Sequence, residues 1–272
     1  MTSGNTSRLF ALTRGEGVPL LAIHGFGSDH SNLLNLDPVL AESAVWQRIY
    51  VDLPGMGGTS AGPEIDGTDA VVDSVIRFID ETIGSAPFAL LGISFGGMVA
   101  RSLAAHYGAQ VIGLALVCAV FVADHANRDV PPRRVLRTDP ALIASLDSAD
   151  AEDYGRMAVV QSPENWELHR RHVIPGLRTF DVLALDRIRQ RYELTELPEL
   201  VAPPYRGVTS IITARYDEIV GYRDAWRALD HYPNSTFLLI DQAGHNAHLD
   251  RPDVVGNALR EWLERMSEAV DR

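Results

Sequence analysis

Short apolar, β-branched runs recur along the chain, separated by stretches in which apolar residues return every three or four positions. The short runs are residues 20–23, 47–52, 88–93, 112–118, 210–213 and 236–240. Apolar residues fill mostly consecutive positions in them, as expected of strands covered on both faces. Residues 8–13 read as a further, antiparallel strand that turns at Gly15-Glu16-Gly17. The longer stretches have helical period. Residues 68–83 put Val71, Val75, Phe78, Ile79 and Ile83 on one stripe, residues 252–266 do the same with Val254, Val255, Leu259, Trp262 and Leu263, and 98–106 reads as another helix. Alternating strands and helices predict an α/β fold: a mainly parallel central sheet, helices on both faces, joined by right-handed crossovers.

Between about residues 122 and 206 the alternation stops. No strand pattern is found there, but helix starts are: Asp139-Pro140 and Ser162-Pro163 each pair an N-cap residue with proline at the first helical position. Tyr154, Met157, Val160, Trp166 and Leu168 supply apolar faces. This stretch holds 12 arginines against 14 acids, so it carries −2 of the net −12. The expectation is a core built from residues 1–121 and 207–272, with 122–206 inserted as a helical cap. Such a lid can shape a pocket and exclude water.

Composition narrows the chemistry. With 272 residues, 46% of them hydrophobic, the chain can bury a sizeable core. A net charge of −12 argues against nucleic acid or an anionic membrane as partner. All 24 basic residues are arginine, which removes Schiff-base lysines, P-loop lysines and Ser-Lys dyads from consideration. The single cysteine, Cys118, lies in an apolar run and is expected to pack, not react. The start of the chain, Met1 to Arg8, is polar with no apolar signal region, and no apolar run reaches the ~20 residues of a membrane span. The expected location is the cytoplasm.

The chemistry centres on Ser94, in Gly92-Ile93-Ser94-Phe95-Gly96, between an apolar run and a helix. A sharp strand-to-helix turn exposes a serine hydroxyl and aims it at a base. The positions two before and two after the serine crowd together there, so glycine is needed at both. The base candidate is His245, just past the last predicted strand; a neutral imidazole can accept the serine proton and return it. His248 is its nearest rival, and His24 is expected to brace its own loop. Asp217, after the strand ending near Thr213, is the candidate to orient the base, with Asp124 and Glu218 as rivals. Backbone N–H groups of Phe95 and of Phe26, in His24-Gly25-Phe26-Gly27, are the candidate oxyanion donors. His245 and His248 lack the third ligand that a metal site needs, and no dinucleotide fingerprint follows the first strand, so neither metal nor cofactor is expected.

These motifs, with Asp52-Leu53-Pro54-Gly55-Met56-Gly57-Gly58-Thr59-Ser60 and Gly244-His245, resemble the α/β-hydrolase superfamily of capped, single-domain serine hydrolases. The order Ser94, Asp217, His245 is that family's order. The resemblance implies a structural turn for residues 52–60. It implies hydrolysis of a carboxylic ester, or related acyl bond, through an acyl-enzyme. A carbon–carbon bond hydrolase or lactonase of the same fold is the alternative, the former weakened by Asn246, where a tryptophan is usual after the histidine. A non-catalytic ligand-binding relative is the second alternative. Phe26, Phe95 and the apolar residues of the insertion suggest a small-molecule substrate with an apolar group.

Overall fold

The computed structural model describes residues 8–43 and 45–270, with side chains described as far as residue 267. The polar stretch at Met1–Ser7 therefore lies outside the described residues. Seven strands form one sheet: β1 (Ala11–Arg14), β2 (Val18–Ile23), β3 (Trp46–Val51), β4 (Phe88–Ile93), β5 (Val111–Val117), β6 (Val208–Ala214) and β7 (Ser235–Ile240). Their spatial order is β1-β3-β2-β4-β5-β6-β7. Only β1 runs antiparallel, against β3; every other pairing is parallel.

The consecutive apolar residues of the central strands are sandwiched between helices, which is why no alternation was visible in them. All six residues of β4 are buried, as are Leu20 to Ile23 of β2. The helix Phe95–Tyr107 packs on β4 and β5 and against the helix Thr68–Thr82. The helix Pro252–Val270 packs on β5 and β6, with the fully buried Trp262 donating its indole N–H to Val208 O at 3.1 Å. Burying a side chain of this size contributes roughly 1.5–3 kcal/mol.

Element ends differ from expectation by a few residues, with local causes. β1 begins three residues later than predicted and runs to Arg14, ending at Gly15 and Gly17, both at positive φ. β3 stops before Asp52, whose carboxylate instead receives the N–H groups of His30 and Gly58 at 2.7 and 2.8 Å. That carboxylate organises the turn at 52–60, where Gly55 and Gly57 have φ of 77° and 54°.

Between β5 and β6 the chain forms a 3-10 turn at His125–Asn127 and six α-helices: Pro140–Ser145, Ser148–Met157, Pro163–His172, Ile174–Leu177, Val182–Gln190 and Pro198–Val201. Asp139 and Ser162 accept the N–H groups of Leu142 and Asn165, so both N-cap signals are realised. Tyr154, Trp166 and His169 form an aromatic core within this stretch. Leu185 and Ile188 join the main core, and Asp181 N–H donates to Gly55 O. Among the described residues, no helix is long and apolar enough to cross a membrane.

Candidate active site

Ser94 follows β4 directly and has φ 54° and ψ −116°, a conformation that costs a side-chain-bearing residue about 1–3 kcal/mol. The turn is held by its hydrogen bonds. Ser94 N–H donates to Val117 O, and Ser94 O accepts from Gly97, Met98 and Val120. The crowding expected from the pentapeptide is present: a Cβ on Gly92 would stand 2.4 Å from Gly96 O, and one on Gly96 would stand 2.2 Å from Ile23 O.

The turn brings Ser94 Oγ to 2.9 Å from His245 Nε2. His245 Nδ1 is 3.0 Å from Asp217 Oδ2. Asp217 is fully buried, and its Oδ1 accepts the N–H groups of Ile219 and Val220 at 2.9 and 3.0 Å. The carboxylate therefore acts as acceptor throughout and fixes the imidazole proton on Nδ1, leaving Nε2 free to accept from Ser94. A relay of this geometry can remove the serine proton as the oxygen attacks, and return it to a leaving group.

The rival residues lie elsewhere. Asp124 turns back on its own segment and accepts from Ala126 N–H and Asn127 Nδ2 at 3.0 and 2.9 Å. Glu218 pairs with Arg133 at 3.2 Å. His248 is completely buried, and that burial pushes its pKa down to about 3, so it stays neutral. His24, also buried and with its pKa lowered by burial, bridges two loops: Nδ1–H donates to Gly25 O at 2.7 Å and Nε2 accepts Leu53 N–H at 3.0 Å. Cys118 is fully buried and its thiol is held protonated by burial, with the Asp217 charge adding to the effect.

The loop 24–27 lies against the serine: a Cβ on Gly25 would be 3.3 Å from Ser94 Cβ and 3.8 Å from Oγ. Phe26 N–H has no acceptor among the described residues, and Phe95 N–H opens its helix, where no intrahelical partner exists. Both groups are therefore available to a developing negative charge.

Above Ser94 and His245 is a cavity of about 620 Å³. Its floor holds Gly25, Phe26, Ser94 and His245, and the 122–206 stretch contributes Met157, Val173, Leu177 and Tyr192 to its walls. The Tyr192 ring contacts Phe26 and Phe95, with centroids at 5.5 and 5.2 Å. Sequence reading missed Tyr192, because nothing in its neighbourhood marks it among eight tyrosines. It also missed Asp250. That carboxylate accepts Gly244 N–H at 2.8 Å, one residue before His245, and Asn165 Nδ2 at 3.0 Å, tying the histidine loop to the helix Pro163–His172. Among the described residues, no cluster of three or more His, Cys, Asp or Glu could hold a metal.

The alpha/beta hydrolase family matches residues 20–258, and the chain belongs to that family. Among its relatives, a 2-succinyl-6-hydroxy-2,4-cyclohexadiene-1-carboxylate synthase of Shigella dysenteriae serotype 1 is 30% identical over 262 residues, covering 91% of this chain and 94% of the relative. A monoacylglycerol lipase of Bos taurus is 26% identical over 264 residues, covering 92% of this chain and 76% of the relative. The crystal structure of an alpha/beta superfamily hydrolase from Oenococcus oeni PSU-1 superposes with a TM-score of 0.88 at 28% identity, covering 97% of each chain.

Proposed function

We propose that this protein hydrolyses a carboxylic ester through an acyl-enzyme formed on Ser94. The observation that carries the reading is the hydrogen-bonded series Ser94 Oγ–His245 Nε2, 2.9 Å, and His245 Nδ1–Asp217 Oδ2, 3.0 Å, at the foot of a cavity of about 620 Å³. Ser94 Oγ attacks the ester carbonyl while His245 Nε2 takes its proton. The N–H groups of Phe26 and Phe95 hold the oxyanion. His245 then protonates the departing alcohol, and water, deprotonated by the same imidazole, releases the acid. Asp217 keeps the imidazole in the required tautomer and stabilises the imidazolium. Removing such a triad costs about 10⁶-fold, roughly 8 kcal/mol of barrier. Residues 122–206 act as a cap that dries the cavity, and the Phe26–Phe95–Tyr192 surface receives an apolar part of the substrate. The kinship with a monoacylglycerol lipase supports ester cleavage.

The test is labelling by a fluorophosphonate probe, together with turnover of 4-nitrophenyl esters. The reading expects labelling and turnover that both disappear in Ser94→Ala. An unlabelled, inactive wild-type protein sinks it.

A second reading has one observation behind it, the 30% identity to a 2-succinyl-6-hydroxy-2,4-cyclohexadiene-1-carboxylate synthase. In that case the chain forms the product in that name, and its appearance faster than any ester is cleaved would reverse the ranking.

A further inference from the structure

Three arginines line the cavity above Ser94: Arg128, Arg156 and Arg189. Two are ordinary surface ion pairs. Arg156 is 62% exposed and lies 3.7 Å from Asp153. Arg189 is 60% exposed, pairs with Asp186, and reaches over the Phe26 ring at 5.5 Å. Arg128 is different. It is half-buried, and among the described residues no carboxylate lies within ion-pairing distance of it. Its guanidinium is instead fixed by three backbone carbonyls: Nε donates to Val122 O at 2.7 Å, Nη1 to Ile219 O at 2.8 Å and Nη2 to Ala123 O at 2.8 Å.

A guanidinium has five N–H groups in a fixed fork, so these three bonds leave one on each terminal nitrogen. Carbonyl dipoles orient the cation without neutralising it. The side chain is thus immobilised before any ligand arrives, and the ordering that a flexible arginine would lose on binding has already been lost. Tyr192 stands beside it, its hydroxyl within hydrogen-bonding reach of the guanidinium: burial pushes that phenol up to about 12, while the charge and hydrogen bond of Arg128 and, less strongly, the charge of Arg189 pull the other way. The remaining charged cavity residues are Asp124, occupied with its own turn, and the exposed Glu193. Arg156 and Arg189 have carboxylate partners in Asp153 and Asp186, which leaves Arg128 as the cavity arginine without a counter-charge among the described residues. A half-buried cation held by dipoles and lacking a counter-charge favours an anion on its open side.

We propose that Arg128 is the anion subsite of this cavity and that the ester cleaved at Ser94 carries a free carboxylate. The Phe26–Phe95–Tyr192 surface then takes the apolar body, and the Arg128 guanidinium, with the Tyr192 hydroxyl beside it, holds the carboxylate. This rests on the ester-hydrolase reading for its chemistry, but not for its test.

The test is calorimetric binding to the Ser94→Ala protein, which needs no turnover. Two matched pairs cover both sides of the ester: monophenyl adipate against phenyl hexanoate, and 4-carboxyphenyl butyrate against phenyl butyrate. At least one anionic member is expected to bind tenfold or more tightly than its neutral partner at low salt, with the preference shrinking as salt is added. In Ser94→Ala/Arg128→Met the preference falls to within about threefold of unity. If removing the three carbonyl bonds prevents folding, Ser94→Ala/Arg128→Lys, which keeps the charge but not the fork, is expected to lose at least threefold of it. Equal binding within both pairs overturns the proposal, as does a preference unchanged in the Arg128 variant. A wild-type protein that labels with fluorophosphonate but shows no anion preference leaves the ester reading standing and removes only this one.

Discussion

Asp217 Oδ2 stands 3.0 Å from His245 Nδ1, while the other oxygen of the same carboxylate is taken by two backbone N–H groups. An asparagine here would present an amide N–H to the imidazole and favour the proton on the wrong nitrogen. Asp217→Asn is therefore expected to lower kcat on a 4-nitrophenyl ester by about 10³–10⁴-fold with little change in KM. Steady-state kinetics checks this, and a loss below tenfold would remove Asp217 from the relay.

Two glycines make opposite predictions. A Cβ on Gly92 meets Gly96 O at 2.4 Å and Gly97 Cα at 2.7 Å, both backbone, so nothing can rotate away. Gly92→Ala should cost about 3 kcal/mol or more in denaturant unfolding and disable Ser94. Gly155, inside the helix Ser148–Met157, has nothing within 4 Å of a built Cβ. Gly155→Ala should stabilise by about 0.5–1 kcal/mol, because it restricts the unfolded chain without strain.

Arg101 is buried in the helix that follows Ser94, and its guanidinium pairs with Glu199 from the 122–206 stretch. The Arg101 guanidinium also donates to Val120 O, whose residue in turn donates its N–H to Ser94 O. Glu199→Ala leaves this cation without its counter-charge and should cost about 3–5 kcal/mol, read as a shift of the unfolding midpoint. An effect below 1 kcal/mol would mean that Arg101 finds other solvation.

Asp250 gives a pH dependence with a definite sign. Burial lifts its pKa from 3.8 to about 6, with the Asp217 charge adding to the rise, while the Gly244 and Asn165 hydrogen bonds oppose it. A raised carboxyl pKa means that the native state binds the proton more tightly than the unfolded chain. The group therefore opposes folding above about pH 6, and the opposition fades as pH falls from 6 toward 4. Asp250→Asn carries no charge at either end of this range. The stability of the variant relative to wild type should improve by about 2 kcal/mol between pH 4 and pH 8, allowing for partial exposure. A pH-independent difference between the two proteins would refute the assignment.

Much of this architecture is written locally. Runs of consecutive apolar residues announce buried strands because both faces must leave water, and helical stripes announce the covering layers. Gly92 and Gly96 are legible for a steric reason that needs only the pentapeptide. Ser94, Asp217 and His245 are legible because each follows a strand end, where a parallel sheet delivers its loops to one edge. Asp124 follows a strand end equally well, and only the fold shows its carboxylate turned back onto Ala126.

The α/β alternation, the glycines of the turn at Ser94 and the short set of residues able to form the relay can be read from the residues alone, because they depend on period, sterics and functional-group chemistry. The tertiary structure decided what depends on distance in space. It selected Arg128 from the 12 arginines of residues 122–206, since only there do three carbonyls replace a carboxylate. It set Tyr192 against Phe26 and Phe95, and joined Asp250 to Asn165 across 85 positions of chain. Such contacts leave no periodic trace, because they are made between segments whose sequences are each satisfied without the other.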